Sequence, residues 1–204
     1  MPSDPISITL VYEDILQRVV IEKIISTFFV EKYHISNYFP GRGFGWIKNN
    51  VNSFNLASAK ATYVVIVDLD NDTCPSEKIR SWLDNPKNEN LIFRIAVREI
   101  ESWIVGDTQN FAKFLHIHEN KLKTRVDGIA DPKKYIFNLV SESNIKQLKG
   151  ICPNPGARIG PNYNEKLVKF IFSSWEPSLA MSNSPSLKRS INRLNEYFPS
   201  YSEE

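Results

Sequence analysis

The chain has 204 residues, 42% hydrophobic, 24% charged and 12% aromatic, with 8 Gly, 12 Pro and a net charge of +2. That is ordinary globular composition for one domain, or one α/β core with an appendage, and it excludes disordered, collagen-like and low-complexity classes. The longest aliphatic or aromatic run, Tyr63 to Val67, is far short of the roughly 20 residues a membrane helix needs. The first nine residues lack the basic and apolar regions of a secretory signal. Two distant cysteines, Cys74 and Cys152, make neither a Cys-rich zinc site nor a disulfide framework and read as reduced thiols. A cytoplasmic protein with no membrane partner is expected.

Residues 6–12 (ISITLVY) alternate apolar and polar before turning apolar, as a strand entering a core does. Asp14 is placed to cap the following helix, whose apolar pairs Ile15/Leu16, Val19/Val20, Ile24/Ile25 and Phe28/Phe29 recur every four to five residues. Residues 34–39 read as a short second strand. A Gly-rich loop, 41–45 (GRGFG), leads into a polar helical stretch ending near Lys60. Residues 61–69 (ATYVVIVDL) are β-branched and apolar on both faces, the signature of a central parallel strand. Pro75 opens a helix to about Asp84, residues 91–97 (LIFRIAV) form a fourth strand, and a helix follows over 99–105. Four strand–helix units predict an α/β layer with a mostly parallel sheet, Rossmann-like in its winding, over residues 1–107.

Beyond Asp107 the pattern changes to short helices broken by Asp131-Pro132, by 153–156 (PNPG) and by Ser184-Pro185. Residues 108–204 therefore read as a helical extension packed on the core. They are also basic. Residues 1–107 carry 11 Lys/Arg against 14 Asp/Glu, whereas 108–204 carry 14 against 9. An acidic part joined to a basic one suits a site where carboxylates hold cations and neighbouring lysines hold a polyanion.

Three groups of acids fall at carboxyl ends of predicted strands, the edge where open α/β sheets bind ligands. Glu13 ends the first strand, Asp68 and Asp70 end the third with Asp72 two residues on, and Glu99 and Glu101 follow the fourth. If the third strand runs through Asp70, its alternation turns Asp68 and Asp70 the same way, toward one cation. Gathered carboxylates repel unless a cation neutralises them. Oxygen donors with few histidines favour Mg²⁺ or Mn²⁺ and suit phosphodiester chemistry. Residues 68–72 (DLDND) resemble the start of a calcium loop, but Thr73 and Ile79 stand where its Gly and Glu belong.

The order strand-Glu13-helix, Gly-rich loop, strand-Asp68-x-Asp70, strand-acidic helix resembles the TOPRIM domain of topoisomerases, primases and OLD-family nucleases. The stretch 93–107 (FRIAVREIESWIVGD) is similar to small stand-alone TOPRIM-like proteins of bacteria, often encoded beside an ABC- or SMC-like ATPase. The segment 184–194 (SPSLKRSINRL) is similar to that family's C-terminal helix. The resemblance implies a Mg²⁺- or Mn²⁺-dependent nuclease acting on DNA, with an ATPase partner in anti-phage defence. It implies that Glu13 is the general acid/base and a metal ligand, that Asp68 and Asp70 are the paired ligands, that Asp72 adds an oxygen, and that Glu101 serves a second metal. The family places Gly after the glutamate, where this chain has Asp14. A non-catalytic TOPRIM-fold subunit docking an ATPase or nucleic acid is the alternative, and a homo-oligomer is compatible with both. A HAD-type phosphatase with Asp68 as nucleophile is disfavoured, because that motif usually opens its fold and here a strand–helix block precedes it.

The candidate phosphate holders are Arg42 in the Gly-rich loop, Lys133/Lys134 and Lys188/Arg189 near helix starts, and Arg158 in the Gly/Pro-rich loop. The Gly-rich loop has no Gly-Lys-Ser/Thr and is not a Walker A loop. His116 and His118 read as surface residues, and Trp82 and Trp103 as helix–sheet packing.

Overall fold

The structure is a computed structural model, and it describes residues 4–42 and 45–199. Four parallel strands, β1 (Ile6–Tyr12), β2 (Tyr33–Pro40), β3 (Thr62–Asp68) and β4 (Leu91–Ala96), lie in the order β2-β1-β3-β4. Between them run α1 (Ile15–Phe28), α2 (Trp46–Ala57) and α3 (Pro75–Trp82). After β4 the chain is helical among the described residues: α4 (Ile100–Gly106), α5 (Thr108–Leu115), α6 (Pro132–Glu142), α7 (Tyr163–Ser173), α8 (Pro177–Asn183) and α9 (Pro185–Glu196), with short 3₁₀ turns. Each expected strand and helix up to Val105 is present, with ends shifted by a few residues. Gly43 and Phe44 of the Gly-rich loop lie outside the described residues.

β3 separates two apolar layers. Its Val64 and Ile66 join the larger core, with α1 and the helices after β4, while Val65 and Val67 face the smaller one, with Ile47, Val51 and Phe54 of α2. Strand period two delivers alternate valines and isoleucines to opposite faces, so a strand buried on both sides reads as an unbroken apolar run.

The larger core continues past Asp107 without a break: Phe111, Ile136, Leu167, Trp175 and Leu187 belong to it together with Ile8 and Leu16. Trp103 and Trp175 are fully buried at its centre, and the Trp103 indole N–H donates to Ser186 Oγ at 2.7 Å. The end of α9 is tied to the sheet as well. The Tyr33 hydroxyl donates to the Leu194 carbonyl at 2.5 Å, and the Tyr197 hydroxyl lies 2.8 Å from Thr62 Oγ1 and donates to Asn90 Oδ1.

Pro at the first helical position with an oxygen-bearing cap before it starts two of the late helices. Asp131 caps α6 by accepting from the Lys134 amide, and Ser184 caps α9 by accepting from Leu187. Asp127 then receives the Ser184 hydroxyl and the Ser186 amide, which fixes where α9 leaves the core. Gly160 is packed so tightly that a Cβ there would stand 2.2 Å from the Gly150 carbonyl oxygen and 2.5 Å from that of Cys152. Gly160→Ala is expected to destabilise the fold by about 1–3 kcal/mol, the range for overpacking a close contact, read as a lower urea midpoint at unchanged m-value.

Candidate acidic site at the carboxyl edge of the sheet

Strand order reverses direction between β1 and β3: from β1 the chain moves outward to β2, then crosses back to β3. In open parallel sheets the crevice at such a reversal, outside the carboxyl ends of the strands, is where ligands sit. Glu13 follows β1 and Asp68 ends β3, so topology alone brings these two acids to adjacent strand ends.

Gln17 joins them. Asp14 caps α1 through the Leu16 and Gln17 amides (2.9 and 3.0 Å), which points the first turn of α1 across the sheet edge. From there Gln17 accepts the Glu13 amide at 2.8 Å and donates through Nε2 to Asp68 Oδ1 at 3.1 Å. The same Asp68 oxygen accepts the amide of Ile100, the first residue of α4, at 2.9 Å. Asp68 is 6% exposed and Glu101 fully buried. Burial, then the charge of Glu101, holds the Asp68 carboxyl well above its ordinary range. Burial, then the charges of Asp70 and Asp14, raises that of Glu13.

β3 ends at Asp68, so strand alternation does not extend to Asp70. Asp70 adopts φ +54°, a left-handed conformation unusual for a residue with a side chain. The turn beyond β3 wraps around one cation, the buried ammonium of Lys78 in α3. Lys78 Nζ donates to the carbonyls of Asp68 (2.8 Å) and Leu69 (3.2 Å), and lies 3.0 Å from Asp72 and 3.5 Å from Asp70. Arg98 adds its guanidinium to the carbonyls of Asp70 and Asp72.

A second acid–lysine group lies on the other side of Asp68. Lys133 is 2.8 Å from Glu99 and 3.3 Å from Glu101, and the Tyr163 hydroxyl donates to Glu101 at 2.8 Å. Burial pushes Glu101 up to about 6, with Lys133 opposing and Glu99 and Asp14 adding to the rise. Burial alone would depress the Lys133 ammonium, but Glu101 and Glu99 outweigh it and hold Lys133 above its usual range. Glu99 Oε2 is buried and has no hydrogen-bond partner among the described residues.

Two cavities open onto this edge. One, of about 850 Å³, is lined by Glu13, Asp14, Gly45, Lys48, Asp72 and Lys78 among others; its neighbour, of about 690 Å³, is lined by Arg98, Glu99, Lys133 and Lys134. Asp70, Asn71 and Arg158 line both. The structure therefore brings Glu13, Asp68, Asp70, Asp72, Glu101, Lys133, Lys134 and Arg158 to one edge of the sheet. Arg42 is exposed beside Gly41, at the end of β2. Lys188 and Arg189 lie on α9; Arg189 faces a different cavity, beside β4. Gln17, Lys78, Arg98 and Tyr163 were not singled out from sequence. Each acts through a contact that the chain pattern does not encode.

Family models, curated proteins and solved structures give no match to this chain. What the site does is therefore argued from its own donors.

Those donors are hard oxygens, the type that Mg²⁺ and Mn²⁺ take. Among the described residues no three His, Cys, Asp or Glu side chains are grouped as a ready metal cage. The four oxygens around Lys78 Nζ nevertheless form a cation cradle with an ammonium in it, and Glu99 Oε2 is a buried acceptor with no hydrogen-bond partner among the described residues. The donor set thus fits a divalent ion by chemistry.

The raised Glu101 sets a pH dependence. A carboxyl whose folded pKa exceeds its unfolded value of 4.5 binds more protons in the fold, so its contribution weakens as pH rises from 4.5 through about 6. Glu101→Gln is expected to remove that decline, on the order of 1–2 kcal/mol across the window, as measured by urea unfolding at stepped pH.

Proposed function

We propose that this chain is a metal-dependent, TOPRIM-like nuclease that cleaves or nicks nucleic-acid phosphodiesters, with DNA the favoured substrate. The observation that carries the reading is the convergence of Glu13 and Asp68 at the β1/β3 reversal, bridged by Gln17 and flanked by an oxygen cradle that already holds a cation. The sequence resemblance supplies the reaction class and the ATPase partner in anti-phage defence.

In this reading Glu13, Asp68, Asp70, Asp72 and Glu101 hold Mg²⁺ or Mn²⁺. When bound, the ion supplies charge neutralisation at the phosphate and a more acidic water. The protein's own groups divide the remaining work. Glu13, with its carboxyl raised by burial and by Asp70, is the proton-carrying group in this reading. Arg158 and Lys134 line the same cavity as Asp70 and Glu99 and offer cationic donors for phosphate oxygens, while Lys133 in that lining is paired with Glu99 and Glu101. Gln17 fixes Asp68 Oδ1 so that the carboxylate does not rotate away, and Tyr163 does the same for Glu101.

Purified protein is expected to nick supercoiled plasmid with Mg²⁺ or Mn²⁺. Asp68→Ala is expected to lower the rate at least about a hundredfold, the scale of losing a charge-stabilising group. Cutting that persists with chelator and in Asp68→Ala would overturn the assignment.

A second reading is a non-catalytic TOPRIM-fold module that docks nucleic acid or an ATPase. Lys78 and Lys133 favour it, because each neutralises a pair of acids with the chain's own charge. Calorimetric titration separates the two readings: Mg²⁺ or Mn²⁺ heats that vanish in Asp68→Ala support the nuclease, and no divalent binding supports the module.

A further inference from the structure

Away from the acidic edge, four cations gather along the outer side of β4: Lys87, Arg94, Arg189 and Arg193. Arg94 projects from the strand itself and is half-buried, with its Nε donating to Ser190 Oγ of α9 at 3.2 Å. Arg189 and Arg193 lie one turn apart on α9, and the charges of both bear on Arg94. Lys87 feels Arg193 and Arg94 in turn, and Glu89 is the acid whose charge offsets it. None of the four pairs with a carboxylate among the described residues. Lys87 spends its ammonium on the carbonyls of Asn88 and Leu91, and Arg193 donates to the Glu89 carbonyl and lies over the Tyr197 ring. Asp127, at the start of α9, is committed to the Ser184 hydroxyl and the Ser186 amide.

Like charges placed together and partly removed from water repel, and natural proteins relieve such clusters with an anion. Burial, joined by Arg189 and Arg193, pushes the Arg94 guanidinium down to about 10. The cluster has a mouth. A cavity of about 290 Å³ is lined by Arg94 and Arg189, by Ser76 and Ser186 near the starts of α3 and α9, and by Phe93 and Ile95. The carbonyls of Asn90 and Ala96 accept amides of β3 and its following turn, so the even-numbered residues of β4 face inward, and Phe93 and Ile95 turn their backbone groups outward on this side. Phe93 and Ile95 are only 2% and 5% exposed, which leaves no length of free edge for another strand. A tetrahedral anion fits between the two guanidinium groups of this cavity.

We infer that the cavity between β4, α3 and α9 is a phosphate-binding site, with Arg94 and Arg189 as its paired guanidinium ligands and Arg193 and Lys87 supplying field. Planar guanidinium forks match phosphate oxygens bidentately, which a lysine pair would not. The phosphate is either a backbone phosphate of a nucleic-acid strand or a free phosphate group. The first source rests on the nuclease or nucleic-acid module reading above; the second stands without it.

Calorimetric titration of the full chain with inorganic phosphate tests the site. Arg189→Ala, at an exposed position, is expected to weaken phosphate at least about tenfold, the scale of one charge-assisted contact. Arg94→Lys is expected to weaken it comparably while keeping the charge, with circular dichroism reporting the fold of both. Asp68→Asn, which removes a proposed metal ligand at the acidic edge, is expected to leave phosphate binding in the β4–α9 cavity unchanged, so a failed nuclease assay and a failed phosphate site are told apart. An oligonucleotide lacking terminal phosphates that displaces the bound phosphate identifies the strand as the source; displacement by mononucleotide alone identifies a free phosphate group. Phosphate affinity that survives Arg189→Ala and Arg94→Lys, or that is lost instead in Arg158→Ala or Lys133→Ala, overturns the proposal.

Discussion

A carboxylate at the end of a central strand, nearly sealed from water, must find donors or be protonated. Asp68 finds two on a single oxygen, the side-chain amide of Gln17 and the backbone amide of Ile100. Those bonds join β3 to the first turn of α1 and to the start of α4, the three segments that carry the remaining acids. Leaving such a group unpaired would cost several kcal/mol, so the position of α4, and with it Glu99 and Glu101, is tied to the needs of Asp68. The acidic edge is best described as a consequence of satisfying this one side chain.

Around it the protein balances its own charge. Lys78 and Lys133 stand on either side of Asp68, each between two acids, and neither reaches the Asp68 carboxylate itself through an ion pair among the described residues. Asp68 relies instead on the Gln17 and Ile100 amides, and burial together with the charge of Glu101 holds its carboxyl well above the ordinary range. That distribution separates the roles of the acids. The outer acids lie against ammonium groups, Asp70 and Asp72 against Lys78 and Glu99 and Glu101 against Lys133, while the central one makes no ion pair among the described residues.

Much of this architecture is legible in the chain. Residues 61–69 announce a doubly buried strand, because only apolar β-branched residues satisfy both faces, and Asp14 announces a helix start, because its side chain can reach amides two and three residues on. The acids at strand ends follow from the parallel order. What the chain does not display are partners fixed by tertiary geometry. Gln17 meets Asp68 across 51 positions and Tyr163 meets Glu101 across 62, and neither residue type signals its role. Lys133 shows the limit from the other side. Its place at a helix start reads as a phosphate holder, and its ammonium in the structure lies on Glu99 and Glu101. Arg94 sits inside an apolar strand, where sequence pattern offers no reason to connect it with two arginines a hundred positions later.

The uninterrupted core across Asp107 governs how anything enters or leaves the acidic edge. Tyr163 and Lys133, which form its far wall, are rooted in helices that share their apolar interior with the sheet. A wall anchored in this way has no hinge about which to swing as a rigid lid, a motion that takes microseconds to milliseconds. Exchange falls instead to rotamers of Arg158 and Lys134 and to the loop carrying Arg158, on the faster nanosecond-to-microsecond scale of side chains and loops. Turnover or release at this edge would then be gated by the mobility of a few long cationic side chains and not by the opening of a domain.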